Sequence, residues 1–120
     1  MQTAVAKLSR IAPELAAADL RASIEYYMRR LGFSLAMQME GYAIVERDGV
    51  AIHLFADAGR KHSPVGIHVF TWDLEELFLE FEASGAKITQ PIESKPWGNR
   101  EFRVLDEYGN ELKFTEPVAE

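Results

Sequence analysis

Residues 19–32 read DLRASIEYYMRRLG and residues 73–85 read DLEELFLEFEASG, and these two similar segments are the starting point for predicting the fold. In each segment, apolar side chains recur at the three- and four-residue spacing of one helix face. Each begins at an aspartate and ends at a glycine, which are common residues at helix boundaries. The sequence therefore predicts two amphipathic helices. Asp73 and Glu76 are spaced as in a capping box at the start of the second helix.

Strand-like runs surround both helices in the same order. One run precedes each helix, at residues 11–17 and 65–72, and further runs follow at 33–39, 42–46, 50–55, 86–92, 100–105 and 111–115. Asp19-Leu20 matches Asp73-Leu74 after 54 positions, and Gly49 matches Gly109 after 60 positions. An internal repeat indicates two copies of one structural unit. We therefore predict a single domain over residues 1–120, built from repeat units at about 8–57 and 64–117.

The composition excludes several classes of protein. The 120 residues carry a net charge of -6 and include no cysteine. Nucleic-acid binding is not expected, because a phosphate backbone selects lysine- and arginine-rich surfaces. Disulfides and thiolate metal sites are excluded. No segment is apolar enough to span a membrane, and residues 1–10 lack the apolar run of a signal peptide, so we expect a cytoplasmic protein.

Two segments carry a family resemblance. Residues 96–110, PWGNREFRVLDEYGN, and residues 19–33 resemble signatures of the bleomycin-resistance branch of the glyoxalase/bleomycin resistance/dioxygenase superfamily. The resemblance implies an α+β fold in which two paired βαβββ units form a curved mixed sheet around a cleft, with the helices on the outer face. It also implies a homodimer with clefts near the subunit interface. Glu107 replaces the usual proline, which should relax the turn without changing the fold.

The resemblance also identifies the positions at which related enzymes hold a divalent metal. These positions fall on Ala12, His53, Gly66 and Lys113 of this chain. Alanine and glycine have no ligating side chain, and lysine would bring a second cation to the site. Only His53 is a suitable ligand. We therefore expect no metal and no other cofactor, and a protein that binds a ligand without catalysis.

A different set of residues keeps a metal-dependent reaction open. Alternation along a strand places Glu14 on the face of position 12, and His68 on the face of position 66. Glu14, His53 and His68 would supply two histidines and a carboxylate, a ligand set known for iron. By the motif alignment, the set is displaced by two residues, roughly 6–7 Å along a strand. The alternative is that Glu14, His53 and His68 line the cleft as polar groups, or that His68 makes an ordinary structural hydrogen bond.

Aromatic residues and one arginine complete the predicted ligand site. Trp97 stands between a proline and a glycine, outside any periodic stripe, and is predicted to stack on a flat ligand; the alternative is a lid packed on its own strand. Arg100 is predicted either to bind the ligand or to brace the loop through a carboxylate. Trp72 precedes the second helix and is assigned to packing.

Three further aromatic residues are assigned by strand alternation. Phe55 shares the face of His53 and is expected to line the cleft. Phe102 opens a strand and is predicted to line the cleft or to belong to the sheet core. Tyr42 is expected to hold the place of Phe102 in the first repeat, and is a weaker candidate.

These residues lead to a binding hypothesis and two alternatives. The first hypothesis is sequestration of a bleomycin-type antibiotic, or of another cationic or aromatic small molecule, by a homodimer. The second is a metal-dependent lyase, isomerase or dioxygenase that uses Glu14, His53 and His68. The third is a regulatory or structural dimer with a vestigial cleft. Because this scaffold hosts many functions, the ligand is not fixed by the fold.

Overall fold

Each half of the chain folds into a strand, a helix and three further strands. The computed structural model describes residues 5–117; residues 1–4 and 118–120 of the predicted domain lie outside the described residues. The elements of the two halves are β1 (Glu14–Ala17), α1 (Leu20–Leu31), β2 (Ser34–Met39), β3 (Tyr42–Arg47), β4 (Val50–Ala56), β5 (Gly66–Phe70), α2 (Leu74–Ser84), β6 (Lys87–Ser94), β7 (Arg100–Leu105) and β8 (Glu111–Thr115). The predicted repeat of βαβββ units is confirmed.

The two units form separate four-stranded sheets with the same strand arrangement. Their orders are β1-β4-β3-β2 and β5-β8-β7-β6. In each sheet the first strand runs parallel to the last strand of its own unit, and the other pairs are antiparallel. Glu14 lies opposite His53 in the first sheet, and His68 lies opposite Lys113 in the second. These two residue pairs therefore occupy equivalent places in the two units.

Helix α1 begins and ends as its sequence predicts. The Asp19 carboxylate accepts a hydrogen bond from the Ala22 backbone N–H at 3.1 Å, which satisfies one of the free N–H groups of the first turn. Gly32 ends the helix in the left-handed conformation, with φ of 73°. Ile24, Tyr27 and Leu31 are buried on one side of the helix, against the first sheet.

Helix α2 has the predicted bounds but not the predicted cap. The Asp73 side chain makes no capping hydrogen bond, so the capping box with Glu76 is wrong. The Asp73 backbone N–H instead donates to the Thr71 hydroxyl oxygen at 3.0 Å. Gly85 ends the helix with φ of 81°. The helix is held by its buried apolar side, above all by Leu74 and Phe81.

Packed aromatic rings form the centre of the second unit. Phe102 is fully buried, stacks on Phe114 and meets Phe78 and Phe81 edge-on, with ring centroids 5.3–6.0 Å apart. These rings lie between α2 and the second sheet, where large apolar area is removed from water. Phe102 therefore belongs to the core, and its predicted place in the ligand cleft is wrong.

The turn between β7 and β8 joins the second unit to α1 of the first. The Tyr27 hydroxyl donates to Asp106 at 2.7 Å in a buried contact. The Glu107 carboxylate accepts hydrogen bonds from the backbone N–H groups of Ala18 and Asp19 and from the Ser23 hydroxyl. A carboxylate at this position also complements the positive end of the α1 dipole. Glu107 is thus a tie between the units rather than a neutral replacement for proline.

A second tie connects the first unit to α2. The Arg47 guanidinium donates to both carboxylate oxygens of Glu80, at 2.6 and 2.8 Å, and to the Leu31 carbonyl oxygen at 2.9 Å. Arg47 therefore supplies a donor to a free backbone carbonyl at the end of α1, and the same side chain forms an ion pair with α2. Near it, the Arg30 side chain donates to the Ser84 carbonyl oxygen at 2.7 Å, and the Ser84 hydroxyl donates to the Arg30 carbonyl oxygen at 2.6 Å.

The linker between the units is organised by one buried carboxylate. Asp57 accepts hydrogen bonds from the backbone N–H groups of Lys61 and His62 and from the Tyr108 hydroxyl. These bonds, that of Lys61 first, hold the pKa of Asp57 well below its ordinary range. The Arg60 guanidinium lies 4.9 Å from the centre of the Tyr108 ring, a cation–π contact.

Candidate ligand-binding faces

Each sheet has one face packed on the helices and one face directed away from them. Strand alternation separates the two, because neighbouring side chains point to opposite faces. In the first sheet, Leu15, Ala43, Ile52 and Leu54 are buried beneath α1. Their neighbours point away from the helices, and we name them the first open face: Glu14, Tyr42, Ile44, His53 and Phe55. The second open face, defined in the same way, comprises His68, Phe70, Glu101, Arg103, Lys113 and Thr115.

Three side chains of the first open face form a hydrogen-bonded cluster. The Tyr42 hydroxyl donates to the Glu14 carboxylate at 2.6 Å and lies 2.8 Å from Nδ1 of His53. The Tyr42 and His53 rings meet edge-on, with centroids 5.7 Å apart. The hydrogen bond to Glu14 raises the pKa of Tyr42, so the phenol keeps its proton near neutral pH. The cluster thus places an exposed carboxylate beside two aromatic rings.

Phe55 completes the aromatic side of the first open face. It lies opposite Tyr42 across the β3–β4 pair, and its ring meets that of His62 edge-on at 5.0 Å. His62 stands in the linker, with Nδ1 3.1 Å from the Asp57 carboxylate. The structure therefore brings together the predicted residues Glu14, His53 and Phe55, and adds Tyr42 and His62 to them.

The second open face is dominated by charged side chains. Arg103 donates to the Glu101 carboxylate at 2.6 Å and lies near Glu111. Lys113 follows the same face, and a Cβ atom at Gly66 would lie 3.5 Å from its Nζ atom. His68 lies opposite Lys113, with Nδ1 2.8 Å from the Thr115 hydroxyl oxygen. The place that His53 holds in the first unit is thus held by the cationic Lys113 in the second.

Glu101 is a buried carboxylate in this charged face. Its side chain is fully buried, and Oε1 has no hydrogen-bond partner. The other oxygen is held by Arg103. Burial of a polar atom without a hydrogen bond costs free energy. Strand pairing places Glu101 opposite Thr115, as Tyr42 is opposite Phe55. The residue equivalent to Tyr42 is therefore Glu101, not Phe102 as predicted.

The structure corrects the alignment of the expected metal positions. Ala12 precedes β1 and has no partner in the sheet pairing, whereas Glu14 is the direct partner of His53. The predicted displacement by two residues is therefore wrong for Glu14 and His53. Tyr42 lies between their polar atoms, and His68 belongs to the other sheet and bonds to Thr115. Within residues 5–117, no three histidine or acidic side chains are grouped so as to hold a metal ion.

Trp97 and Arg100 lie at the hairpin between β6 and β7 with different roles. Trp97 is 62% exposed, so it is not packed as a lid on its own strand. Arg100 donates to both oxygens of Glu116, at 3.0 and 2.7 Å, and pairs with Glu75 at 2.8 Å. Arg100 therefore has the bracing role that the sequence left open. Trp72 is 70% exposed, so its predicted packing role is wrong.

A groove of about 550 Å³ lies where the two units meet. It runs between the segment before β1, the start of β4 and strand β5, and its lining includes Ile11, Val50, His68 and Phe70. Its volume is within the range of small-molecule sites, and its walls are mainly apolar. Phe70 stacks near His68 and is 59% exposed. A second groove of about 650 Å³ lies beside α2, with Trp72 and Asp73 among its lining residues.

Comparison with known proteins identifies the family. Residues 7–114 match the model of the glyoxalase/bleomycin resistance protein/dioxygenase superfamily. The chain belongs to this superfamily. The bleomycin resistance protein of Geobacillus stearothermophilus is 26% identical over 127 residues, covering 88% of this chain and 95% of that protein. The bleomycin resistance protein of Staphylococcus aureus matches to the same extent.

Solved structures of superfamily members have the same fold. The bleomycin resistance determinant encoded on the transposon Tn5 superposes with a TM-score of 0.85 at 21% identity. The superposition covers 93% of this chain and 100% of that chain. The bleomycin-binding protein of Streptomyces verticillus, in complex with copper(II)-bleomycin, superposes with a TM-score of 0.76 at 24% identity, over 97% of this chain and 100% of that chain. At these identities the likeness shows the α+β fold of paired βαβββ units.

Several contacts, both at the site and between the two units, were not predicted from the sequence. The sequence marks Tyr42 as only a weaker candidate, although a tyrosine on the same strand face as a glutamate–histidine pair is a usable signal. The ties made by Glu107 and Asp57 join residues more than forty positions apart or depend on backbone N–H groups. No local pattern reports such contacts.

Proposed function

We propose that this protein binds and sequesters an amphipathic, cationic or aromatic small molecule of the bleomycin type, without chemical turnover. The observation that carries the proposal is the cluster of Glu14, Tyr42 and His53 beside Phe55 on the first open face. A carboxylate next to aromatic rings attracts cations through both charge and the ring quadrupole. The resistance proteins among its relatives, and the fold shared with a protein crystallised with bleomycin, support the same choice.

The arrangement of the open faces supports a homodimer. Large apolar side chains are exposed on or near these faces, including Met39 at 60% and Phe70 at 59%. Ile11, in the extended segment before β1, is 95% exposed. Exposed apolar groups of this size commonly mark an interface. A second copy of the chain would cover them and close the open faces into a cleft. Sedimentation velocity should therefore give twice the monomer mass of 13.6 kDa.

Calorimetric titration tests the binding proposal. Metal-free and copper-loaded bleomycin should each bind with about one site per chain at micromolar protein. Trp97→Ala should weaken binding by about 1–3 kcal/mol, because it removes one stacking surface. Trp72→Ala is the matched control, since Trp72 is also exposed but lines the groove beside α2. Absence of heat with either form of the drug would reject bleomycin, and equal losses in the two variants would reject the stacking role of Trp97.

A metal-dependent enzyme of the same superfamily is the second candidate function. The direct pairing of Glu14 with His53 favours it, because two of its three required ligands are neighbours. His68 would have to come from the second open face of another copy. Elemental analysis of protein purified without a histidine tag separates the candidates. Near-stoichiometric iron, zinc, manganese or nickel that is lost in His53→Ala would support the enzyme. If the protein only sequesters a ligand, the variant and the wild type should have the same metal content.

A further inference from the structure

The two histidines of the open faces have their Nδ1 atoms in defined hydrogen bonds. His53 Nδ1 is 2.8 Å from the Tyr42 hydroxyl, and His68 Nδ1 is 2.8 Å from the Thr115 hydroxyl. A hydroxyl has one proton to donate and two lone pairs that accept. The position of the N–H proton on each imidazole ring therefore follows from the second hydrogen-bond partner of the hydroxyl that the ring contacts.

The Tyr42 proton lies toward Glu14. An ionised carboxylate only accepts hydrogen bonds, and its oxygen is 2.6 Å from the Tyr42 hydroxyl. The single phenol proton of Tyr42 is thus donated to Glu14. The contact with His53 is a hydrogen bond only if His53 Nδ1 carries a proton and donates it to the Tyr42 oxygen. In the neutral ring, Nε2 of His53 then keeps a free lone pair.

The same assignment follows for His68 from a different partner. The Thr115 hydroxyl donates to the Lys113 backbone carbonyl oxygen at 3.0 Å, and a carbonyl oxygen only accepts. Thr115 is 1% exposed, so water does not compete for this proton. Both contacts of Thr115 are hydrogen bonds only if His68 Nδ1 donates. Nε2 of His68 is then also left as an acceptor.

We propose that Tyr42 and Thr115 are positioning residues that hold His53 and His68 in the Nδ1–H tautomer, so that the ligand site selects molecules rich in N–H donors. Each open face then presents an imidazole Nε2 acceptor, and the first face adds the Glu14 carboxylate. Amines, amidines and primary amides satisfy such acceptors, whereas a ligand that brings only acceptors leaves them unpaired. The selectivity rests on the proposed function, but the assignment of the tautomers does not.

Long-range proton–nitrogen NMR correlation of the ligand-free, 15N-labelled protein reads the tautomers directly. The measurements are made at about pH 8, above the ordinary histidine pKa of about 6.5. His53 and His68 should both show the Nδ1–H pattern. His62 is an internal reference, because its Nδ1 faces the Asp57 carboxylate and is untouched by either variant below. An Nε2–H pattern for His53 or His68 in the wild type would overturn the proposal.

Two conservative variants act as controls for each other. Tyr42→Phe should shift His53 toward the Nε2–H form and leave His68 unchanged. Thr115→Val should do the reverse. The amide spectrum outside the altered strand reports whether each variant keeps the fold. If both rings keep their tautomers in both variants, the hydroxyls do not position them and the proposal fails.

Binding of metal-free bleomycin separates this proposal from the proposed function. Tyr42→Phe should weaken binding about three- to tenfold, the size expected for one misplaced hydrogen bond. If the wild type does not bind the drug but shows the two Nδ1–H tautomers, the proposed function fails and the positioning role stands. If the drug binds the wild type and Tyr42→Phe equally well while the tautomer of His53 changes, the selectivity is refuted.

Discussion

Replacement of Glu107 by alanine should destabilise the whole domain, because this side chain makes one of the ties between the two units. Its carboxylate accepts from Ser23 Oγ at 2.5 Å and from the backbone N–H groups of Ala18 and Asp19 at 3.1 and 3.2 Å. The Asp19 donor is exposed and regains water when the carboxylate is removed. The Ser23 hydroxyl is fully buried and is left unpaired, which typically costs about 1–3 kcal/mol.

These contacts set the expected magnitude. Together with the lost helix-terminus interaction of about 0.3–1 kcal/mol, we expect Glu107→Ala to lower the free energy of unfolding by about 2–3 kcal/mol. Urea denaturation followed by circular dichroism measures it. Glu82→Ala is the matched control, because Glu82 is exposed on α2 and should change stability by less than about 0.5 kcal/mol.

A double-mutant cycle tests the cause of the loss. Ser23→Ala combined with Glu107→Ala should give a coupling energy of about 1–2 kcal/mol, since the two side chains share one hydrogen bond. Additive effects of the two substitutions would refute the tie, as would a Glu107→Ala protein as stable as the Glu82→Ala control. Glu107→Pro, which restores the residue expected at this turn, should keep the fold but show a similar loss.

Three further predictions concern the core and the linker. Tyr27→Phe should lower the free energy of unfolding by about 1–2 kcal/mol through loss of the buried bond to Asp106; an unchanged urea midpoint would contradict this. Phe102→Ala should cost about 3–5 kcal/mol in the same assay, and a stable variant with altered ligand affinity would instead place Phe102 in the cleft. Because the pKa of Asp57 is lowered by folding, its stabilisation is present above the ordinary aspartate pKa of about 3.9 and is lost as pH falls below it. Asp57→Asn should therefore lose less stability between pH 7 and pH 3 than the wild type, and parallel pH profiles would contradict the assignment.

Local signals predicted the elements well. Helix α1 was expected between Asp19 and Gly32 because both its cap and its stop are encoded within the segment. The repeat followed from spacing between two such segments, and β7 and β8 have the predicted bounds. These features depend on neighbours within a few residues, and the sequence displays them directly.

Strand faces and registers were predicted less well, because a shift by one residue moves a side chain to the opposite face. Phe102 was matched to Tyr42, whereas strand pairing matches Tyr42 to Glu101 and sends Phe102 into the core. The motif alignment of the metal positions failed in a related way: it matched Ala12 with His53, whereas Glu14 is the strand partner of His53. Contacts such as those of Glu107 join distant segments, and only the folded chain shows them.

The two ties at the hairpin turns connect the two units through charged hydrogen bonds. Glu107 of the second unit accepts a hydrogen bond from the start of α1, and Arg47 of the first unit donates one to α2. The two residues lie at equivalent places in the repeat. A hinge between the units would have to break both sets of charged hydrogen bonds. If the proposed ligand binds to the open faces, it should therefore meet surfaces that are already oriented, and the loss of freedom on binding should fall mainly on the ligand. Small-angle scattering curves of the free and occupied protein should accordingly superimpose.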